Sequence, residues 1–287
     1  MQGIGGAGTY SLVFVIFFEL VPPEKFAPYT SVLSSVFAMA LLLGPLLGGV
    51  INNFTTWRWV FLIKEIFLTG APFTVAVIQL PLKFQAVYGA SPLGAGVRLL
   101  PFAILSPIGS GAAAALAGKR KIPPIYIFLC GSVMQIVGFA LLGMKSNTQS
   151  MEKAQYGYEV IAGFAVGINL ACIILMTPFV VEKRDKSVAM SAVVQFRTMG
   201  GAIGLAVVTN VMSAYVRKHL GEILAPAQIN ALLETTEAFA SLSPETADIV
   251  RTTFAHGYNL QMQIMIGFSA AQIPAALLMW KKPQVLI

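Results

Sequence analysis

Long apolar segments make up most of this chain, and shorter polar segments separate them. A helix needs about 20 predominantly apolar residues to cross the hydrocarbon core of a bilayer. We therefore expect an all-α membrane protein. On this criterion the pattern predicts about eight transmembrane helices, at 3–20, 32–51, 59–82, 93–117, 123–144, 158–181, 188–215 and 259–280.

One connection, residues 217–258, is much longer than the others and is rich in acidic residues. Pro226 and Pro244 each stand where a proline suits the first turn of a helix. We expect two short amphipathic helices there, both outside the bilayer core. The pattern indicates neither a soluble domain nor a low-complexity tract.

Composition supports a lipid environment. The chain is 56% apolar and 11% charged, whereas soluble domains are about 45–50% apolar and about one quarter charged. Mean hydropathy is +0.76. Cys130 and Cys172 both lie within apolar segments, so they predict no disulfide framework.

The net charge of +7 does not indicate a nucleic-acid partner, because the basic residues form short clusters and no continuous basic face. Lys/Arg clusters in short connections mark the cytoplasmic side of membrane proteins. This rule places the long connection 217–258 on the outer side. The cytoplasmic clusters lie in alternate connections, at 119–121, 183–186 and 281–282.

Motifs for enzymatic chemistry are incomplete. The run Gly3-Ile4-Gly5-Gly6-Ala7-Gly8 matches a dinucleotide fingerprint, but that motif acts only between a strand and a helix of a soluble unit. Gly118-Lys119 lacks the remaining residues of a phosphate-binding loop. His219 and His256 are the only histidines, and no metal-binding cluster accompanies them. We expect no enzyme activity, no metal and no cofactor.

Polar residues within apolar spans are the candidates for function, because burying them in lipid is costly. No carboxylate falls at the middle of a predicted span. Arg197 lies near a span end, where it can extend to the interface or contact a substrate. The neutral candidates can bind a substrate or join helices by hydrogen bonds, and they are Gln79, Gln135, Asn169, Gln195 and Asn210.

The second span carries a distinctive motif. Pro45 removes a backbone hydrogen bond and bends the helix, while Gly44 and Gly48, followed by Gly49, give a flat face for a neighbouring helix. An ordinary kinked span is the alternative. The cluster Trp57-Arg58-Trp59 follows, and it is typical of a helix end at the membrane interface.

These motifs together resemble the drug:proton antiporters of the major facilitator superfamily, particularly the 14-span branch common in fungi. The run Gly44-Pro45-x-x-Gly48-Gly49 resembles the antiporter motif of the fifth span, with Ala40 where a glycine is usual. Further segments resemble the end of the fourth-span motif and three helices of the C-terminal half. These segments are 2–6, 80–87, 98–101 and 195–204.

The resemblance implies proton-coupled efflux of small amphipathic compounds, such as drugs, toxins or secondary metabolites, across the plasma membrane. The energy source would be the proton gradient, with no cofactor. Gln79 and Asn169 are the preferred cavity residues, because the segments they resemble line the central cavity of that family. Arg197, Gln195 and Asn210 are further candidates.

The chain also departs from the family pattern. The first three spans have no counterpart, and a second gap falls near Ile63–Lys64. We therefore predict a remnant of the N-terminal half at 1–63, with two spans and the start of a third. A C-terminal six-span half follows at 64–287. An incomplete bundle has an alternative function: a non-transporting fragment or mis-spliced product, inert or associated with a full-length transporter.

Overall fold

A computed structural model describes residues 58–144, 153–180, 186–235, 239 and 243–278. These residues belong to one compact unit, Phe54–Ile287. The predicted spans at 3–20 and 32–51 lie outside the described residues. So does the motif Gly44, Pro45, Gly48 and Gly49.

Regular structure in the described residues consists of eight numbered helices, with no strand among them. They are α1 (Arg58–Ala86), α2 (Pro92–Arg98), α3 (Leu100–Gly118), α4 (Pro124–Leu142), α5 (Ala154–Val180), α6 (Lys186–Leu220), α7 (Pro226–Glu234) and α8 (Pro244–Leu278).

Six stretches of this region are long and apolar enough to cross a bilayer. Helices α2 and α3 together form one of them, and α1, α4, α5, α6 and α8 provide the others. The prediction of an all-α membrane protein is confirmed. The six spans predicted after residue 58 are all present, and α1 runs as one helix through the position of the gap predicted near Ile63–Lys64.

The long connection differs from the prediction. Its first short helix is α7, as expected, but the helix that begins at Pro244 is not separate. It continues as α8 to the end of the last span, so only residues 221–243 connect α6 with α8. The reason is a continuous buried face, since Val250, Phe254 and Tyr258 pack into the same bundle as Met262.

Glycines permit the closest helix crossings, and two crossings are alike. Helix α1 packs on α6, and α3 packs on α5. A side chain at Gly200 of α6 would overlap the backbone of Phe67 in α1, and one at Gly167 of α5 would overlap the backbone of Ser106 in α3. Missing side chains therefore bring these backbones together, as in other membrane helix pairs.

The outer surface of the bundle is apolar. Ile104 and Ile108 of α3 are about half exposed, as are Val133 and Val137 of α4. Each pair has the four-residue spacing of one helix face. Stripes of this kind suit a surface whose solvent is lipid, and the chain is a multi-pass membrane protein.

Candidate functional site

Asn169 of α5 lies at the centre of a buried hydrogen-bond network. Its Nδ2 donates to Gln135 Oε1 at 2.8 Å, to Gln272 Oε1 at 3.0 Å and, more weakly, to Ser132 Oγ at 3.4 Å. Gln135 Nε2 in turn donates to Ser269 Oγ at 2.8 Å. All five side chains are buried. The network joins α4, α5 and α8 by side chains that would be costly to leave unpaired.

Two features complete this network. Gln272 Nε2 donates to the backbone carbonyl of Leu68 at 3.2 Å, which adds α1 to the joined helices. A side chain at Gly131 of α4 would overlap the amide of Asn169, so this glycine provides the space that Asn169 occupies. Asn169 Oδ1 is the one buried atom of its amide without a hydrogen-bond partner in the described residues.

A charged cluster lies between α1, α5 and α8. Lys83 of α1 is fully buried, and its Nζ donates to Asn259 Oδ1 of α8 at 3.1 Å. Glu159 of α5 is also fully buried and interacts electrostatically with Lys83. Neither carboxylate oxygen of Glu159 has a hydrogen-bond partner in the described residues. Ionisable side chains inside a membrane bundle are rare and usually functional.

A second buried carboxylate belongs to Glu65, near the start of α1. The side chain is 1% exposed, and both of its oxygens lack a hydrogen-bond partner within the described part of the chain. Glu65 and Glu159 both lie towards the ends of their helices, which agrees with the absence of carboxylates from the span middles. What the sequence did not indicate is their complete burial.

Gln79 of α1 lines a cavity of about 160 Å³ between α1, α6, α7 and α8. Its Nε2 donates to Thr209 Oγ1 of α6 at 3.3 Å. Gln261 and Tyr258 of α8 lie on the opposite wall. Asn169 does not line this cavity, so the two residues predicted to share a substrate cavity lie in different surroundings.

The three remaining candidates lie on α6. The guanidinium carbon of Arg197 is 5.4 Å from the centre of the Phe73 ring, a cation–π contact with α1. Gln195 and Asn210 are both exposed. Asn210 Nδ2 donates to the carbonyl of Ala206 in its own helix at 2.9 Å. These residues join neither the Asn169 network nor the charged cluster.

Comparison with known proteins shows which family this chain is similar to. A family model described as Major Facilitator Superfamily matches residues 1–64. The MFS-type transporter FPY5 of Fusarium mangiferae is 28% identical over 97% of this chain and 67% of its own length. The MFS-type transporter ppz2 of Metarhizium majus is 25% identical over 95% of this chain and 66% of its own. The chain is similar to transporters of the major facilitator superfamily.

A third relative is named for efflux. The "Probable efflux pump gsfJ" of Penicillium aethiopicum is 27% identical over 75% of this chain and 39% of its own length. The chain spans about two thirds of the length of FPY5 and ppz2.

The alignment with FPY5 also contains many positions that this chain does not match. The alignment is 398 residues long, whereas the matched 97% of this chain of 287 residues is about 278 residues. About 120 positions of the alignment therefore have no counterpart in this chain. The match to the family model ends at residue 64, beside the predicted boundary at Ile63–Lys64.

Proposed function

We propose that this chain is part of a secondary active transporter that exports small amphipathic compounds in exchange for protons, in the plasma membrane. The observation that carries proton coupling is the buried cluster of Lys83, Glu159 and Asn259. The relatives named as transporters, and the one named as an efflux pump, support the direction and class of the activity.

The cluster is suited to binding a proton. An ionised carboxylate without hydrogen bonds is costly in a low-dielectric interior, and neither oxygen of Glu159 has a hydrogen-bond partner among the described helices. A proton on Glu159 removes this cost and leaves the Lys83 charge beside Asn259. The charge of the cluster then changes by one unit at the junction of three helices, and their packing can respond to that change.

Substrate contact is proposed for Gln79 and Asn169. Superfamily transporters bind substrates between two halves that rock about a central site. The Asn169 network ties four helices of one half together, so the half can move as a unit. The export substrate is expected to be neutral or weakly polar, because the neutral amides of Gln79 and Asn169 offer hydrogen bonds and no countercharge.

A second function is favoured by the unmatched positions of the FPY5 alignment. About 120 missing positions are enough for several spans, and a bundle without them lacks matched halves around a central site. In this alternative the chain is a non-transporting fragment or mis-spliced product that is inert or associates with a full-length transporter. Sequencing the complete transcript separates the two: restored coding sequence favours the antiporter, and a verified short transcript favours the fragment.

The functional test uses proteoliposomes, an imposed pH gradient and the neutral dye Nile red as the transported compound. The 287-residue chain alone is expected to show no gradient-driven efflux, because it lacks about 120 positions of the FPY5 alignment, enough for several spans. A product that restores the missing positions is expected to export the dye. In that product Glu159→Gln should abolish the dependence on the gradient, whereas Glu222→Gln, at an exposed glutamate, should leave it intact. Gradient-dependent export that survives Glu159→Gln would contradict the assignment of the proton site.

A further inference from the structure

The cavity beside Gln79 has both polar and apolar walls. The described side chains that line it are all uncharged. Leu82, Met212 and Phe254 supply apolar surface, and α7 closes one side with Leu232 and Leu233. A space of about 160 Å³ is comparable with an apolar cavity of about 150 Å³ that accommodates benzene. The size therefore suits a single aromatic ring with a small substituent.

One wall contains a buried acceptor without a partner. Gln261 of α8 is 1% exposed, and its Nε2 faces the Val208 carbonyl at 3.4 Å and Met212 Sδ at 3.2 Å. The Val208 carbonyl can only accept a hydrogen bond, so Gln261 must turn its amide nitrogen towards it. The amide oxygen, Oε1, therefore faces away from Val208. Gln261 Oε1 is buried and has no hydrogen-bond partner in the described residues. Such an atom is unfavourable unless a donor reaches it.

We propose that this cavity is a binding site for a small neutral amphipathic molecule whose hydroxyl or N–H group donates to Gln261 Oε1. The apolar body of the ligand packs against Leu82, Met212 and Phe254. A charged ligand is disfavoured because no described lining side chain carries a countercharge. Water is the competing occupant, since it can also donate to Gln261 but gains nothing from the apolar walls.

Helix α7 gives the site its outer wall. Its residues Ile229 and Leu232 are buried against the bundle in a cluster that includes Phe254. The connection that holds α7 is the one that the charge bias places outside the cell. Displacement of this one short helix would open the cavity without disturbing the Asn169 network.

The ligand class rests on the proposed function, but binding is measured without any gradient. The reporter is Ser213→Cys at a half-buried lining position, in a Cys130→Ser background that retains the buried Cys172. Its rate of modification by N-ethylmaleimide is measured in detergent with 4-methylphenol or with the matched ether 4-methylanisole. The phenol should halve the rate at a concentration about three- to tenfold lower than the ether, because the ether has no donor.

Substitutions then assign the preference to one atom. Gln261→Met removes the acceptor and should make the two compounds equally effective. Gln263→Met, at an exposed glutamine two residues along the same helix, should retain the preference for the phenol. An unchanged reporter rate without compound shows that the cavity is intact in each variant, and Gln261→Leu provides a second substitution with the same expected result.

Three results would overturn the proposal: no protection by the phenol, equal protection by both compounds in the parent, or an undiminished preference in the Gln261 variants. The first two need no substitution of Gln261. If the phenol protects better than the ether but the restored product shows no gradient-driven efflux, the proposed transport function is contradicted and the proposed binding site stands. If the restored product shows efflux but the phenol gives no protection, the proposed binding site is contradicted and the transport function stands.

Discussion

The side chain of Gln272 in α8 donates to the backbone carbonyl of Leu68 in α1, with 3.2 Å between Nε2 and the oxygen. In a regular helix that carbonyl would accept from the N–H of residue 72. Residue 72 is Pro72, which has no N–H and lies inside α1. A distant helix thus supplies the donor that a proline removes, and the interior of the bundle retains a satisfied carbonyl.

Replacing Gln272 is therefore expected to destabilise the bundle. Gln272→Leu removes the donor to Leu68 and the acceptor that serves Asn169 and Ser132. Hydrogen bonds between membrane helices contribute about 0.6 kcal/mol on average and at most about 1.7. The loss should be roughly 1–3 kcal/mol in the free energy of unfolding, measured by denaturant titration in detergent.

A cycle with Pro72→Ala isolates the bond to Leu68. An alanine at this position restores the helical N–H, so the carbonyl no longer depends on Gln272. Gln272→Leu should then cost less in the Pro72→Ala background than in the parent. Gln263→Leu, exposed on the same helix, serves as the control with little effect. Equal costs in both backgrounds would show that Gln272 does not compensate for the proline.

The glycine crossings predict a contrast between two substitutions. A side chain at Gly167 would lie within 2.7 Å of the carbonyl carbon of Ser106, whereas nothing lies within 4 Å of one at Gly111. Gly167→Ala should lower the free energy of unfolding by about 1–3 kcal/mol through overpacking. Gly111→Ala should raise it slightly, since alanine favours the helix by about 0.5–1 kcal/mol. Similar effects of the two substitutions would contradict the close approach of α3 and α5.

Hydropathy was sufficient to predict the six spans of the described region, because each contains an apolar stretch of at least 19 residues, about the length that a bilayer requires. It was insufficient at the ends of those helices. The predicted segment 59–82 ended one residue before Lys83, but α1 continues to Ala86 and buries this lysine. Glu159 stood two residues inside its predicted segment and gave no signal of its own.

The polar network was also predictable only in part from the sequence. Asn169 and Gln135 were identified as polar residues within spans, and both proved to be buried and hydrogen-bonded to each other. Their partners Ser269 and Gln272 were not singled out, because pairing across helices depends on helix rotation and crossing angle. Those quantities follow from tertiary packing, which no periodicity within one segment specifies.

The charged cluster makes a prediction that separates charge from packing. Lys83→Met leaves Glu159 buried without its opposite charge, and removing one partner of a buried pair costs up to about 3–5 kcal/mol. The double variant Lys83→Met, Glu159→Gln should recover part of that loss, since it leaves no uncompensated charge. The measurement is the midpoint of thermal unfolding in detergent for the parent, both single variants and the double variant.

The control for this cycle is Lys119→Met, at an exposed lysine that follows α3. It removes the same charge with little expected effect, because surface charges contribute little to stability. Additive losses in the double variant, with no recovery, would show that Lys83 and Glu159 do not compensate each other. The interaction between α1 and α5 would then have to be assigned to their apolar contacts alone.

The arrangement of spans predicts which ends face the cytoplasm. Six spans alternate in direction, and the basic cluster after α3 places the residue after Gly118 inside. Position 183, between α5 and α6, should then also lie inside, whereas Gly221, exposed at the end of α6, should lie outside. Single cysteines at positions 119, 183 and 221 in a Cys130→Ser background can be tested with a membrane-impermeant maleimide. Labelling in intact cells is expected only at position 221, with the other two labelled after permeabilisation, and external labelling at 119 or 183 would reverse the orientation of the six-span unit.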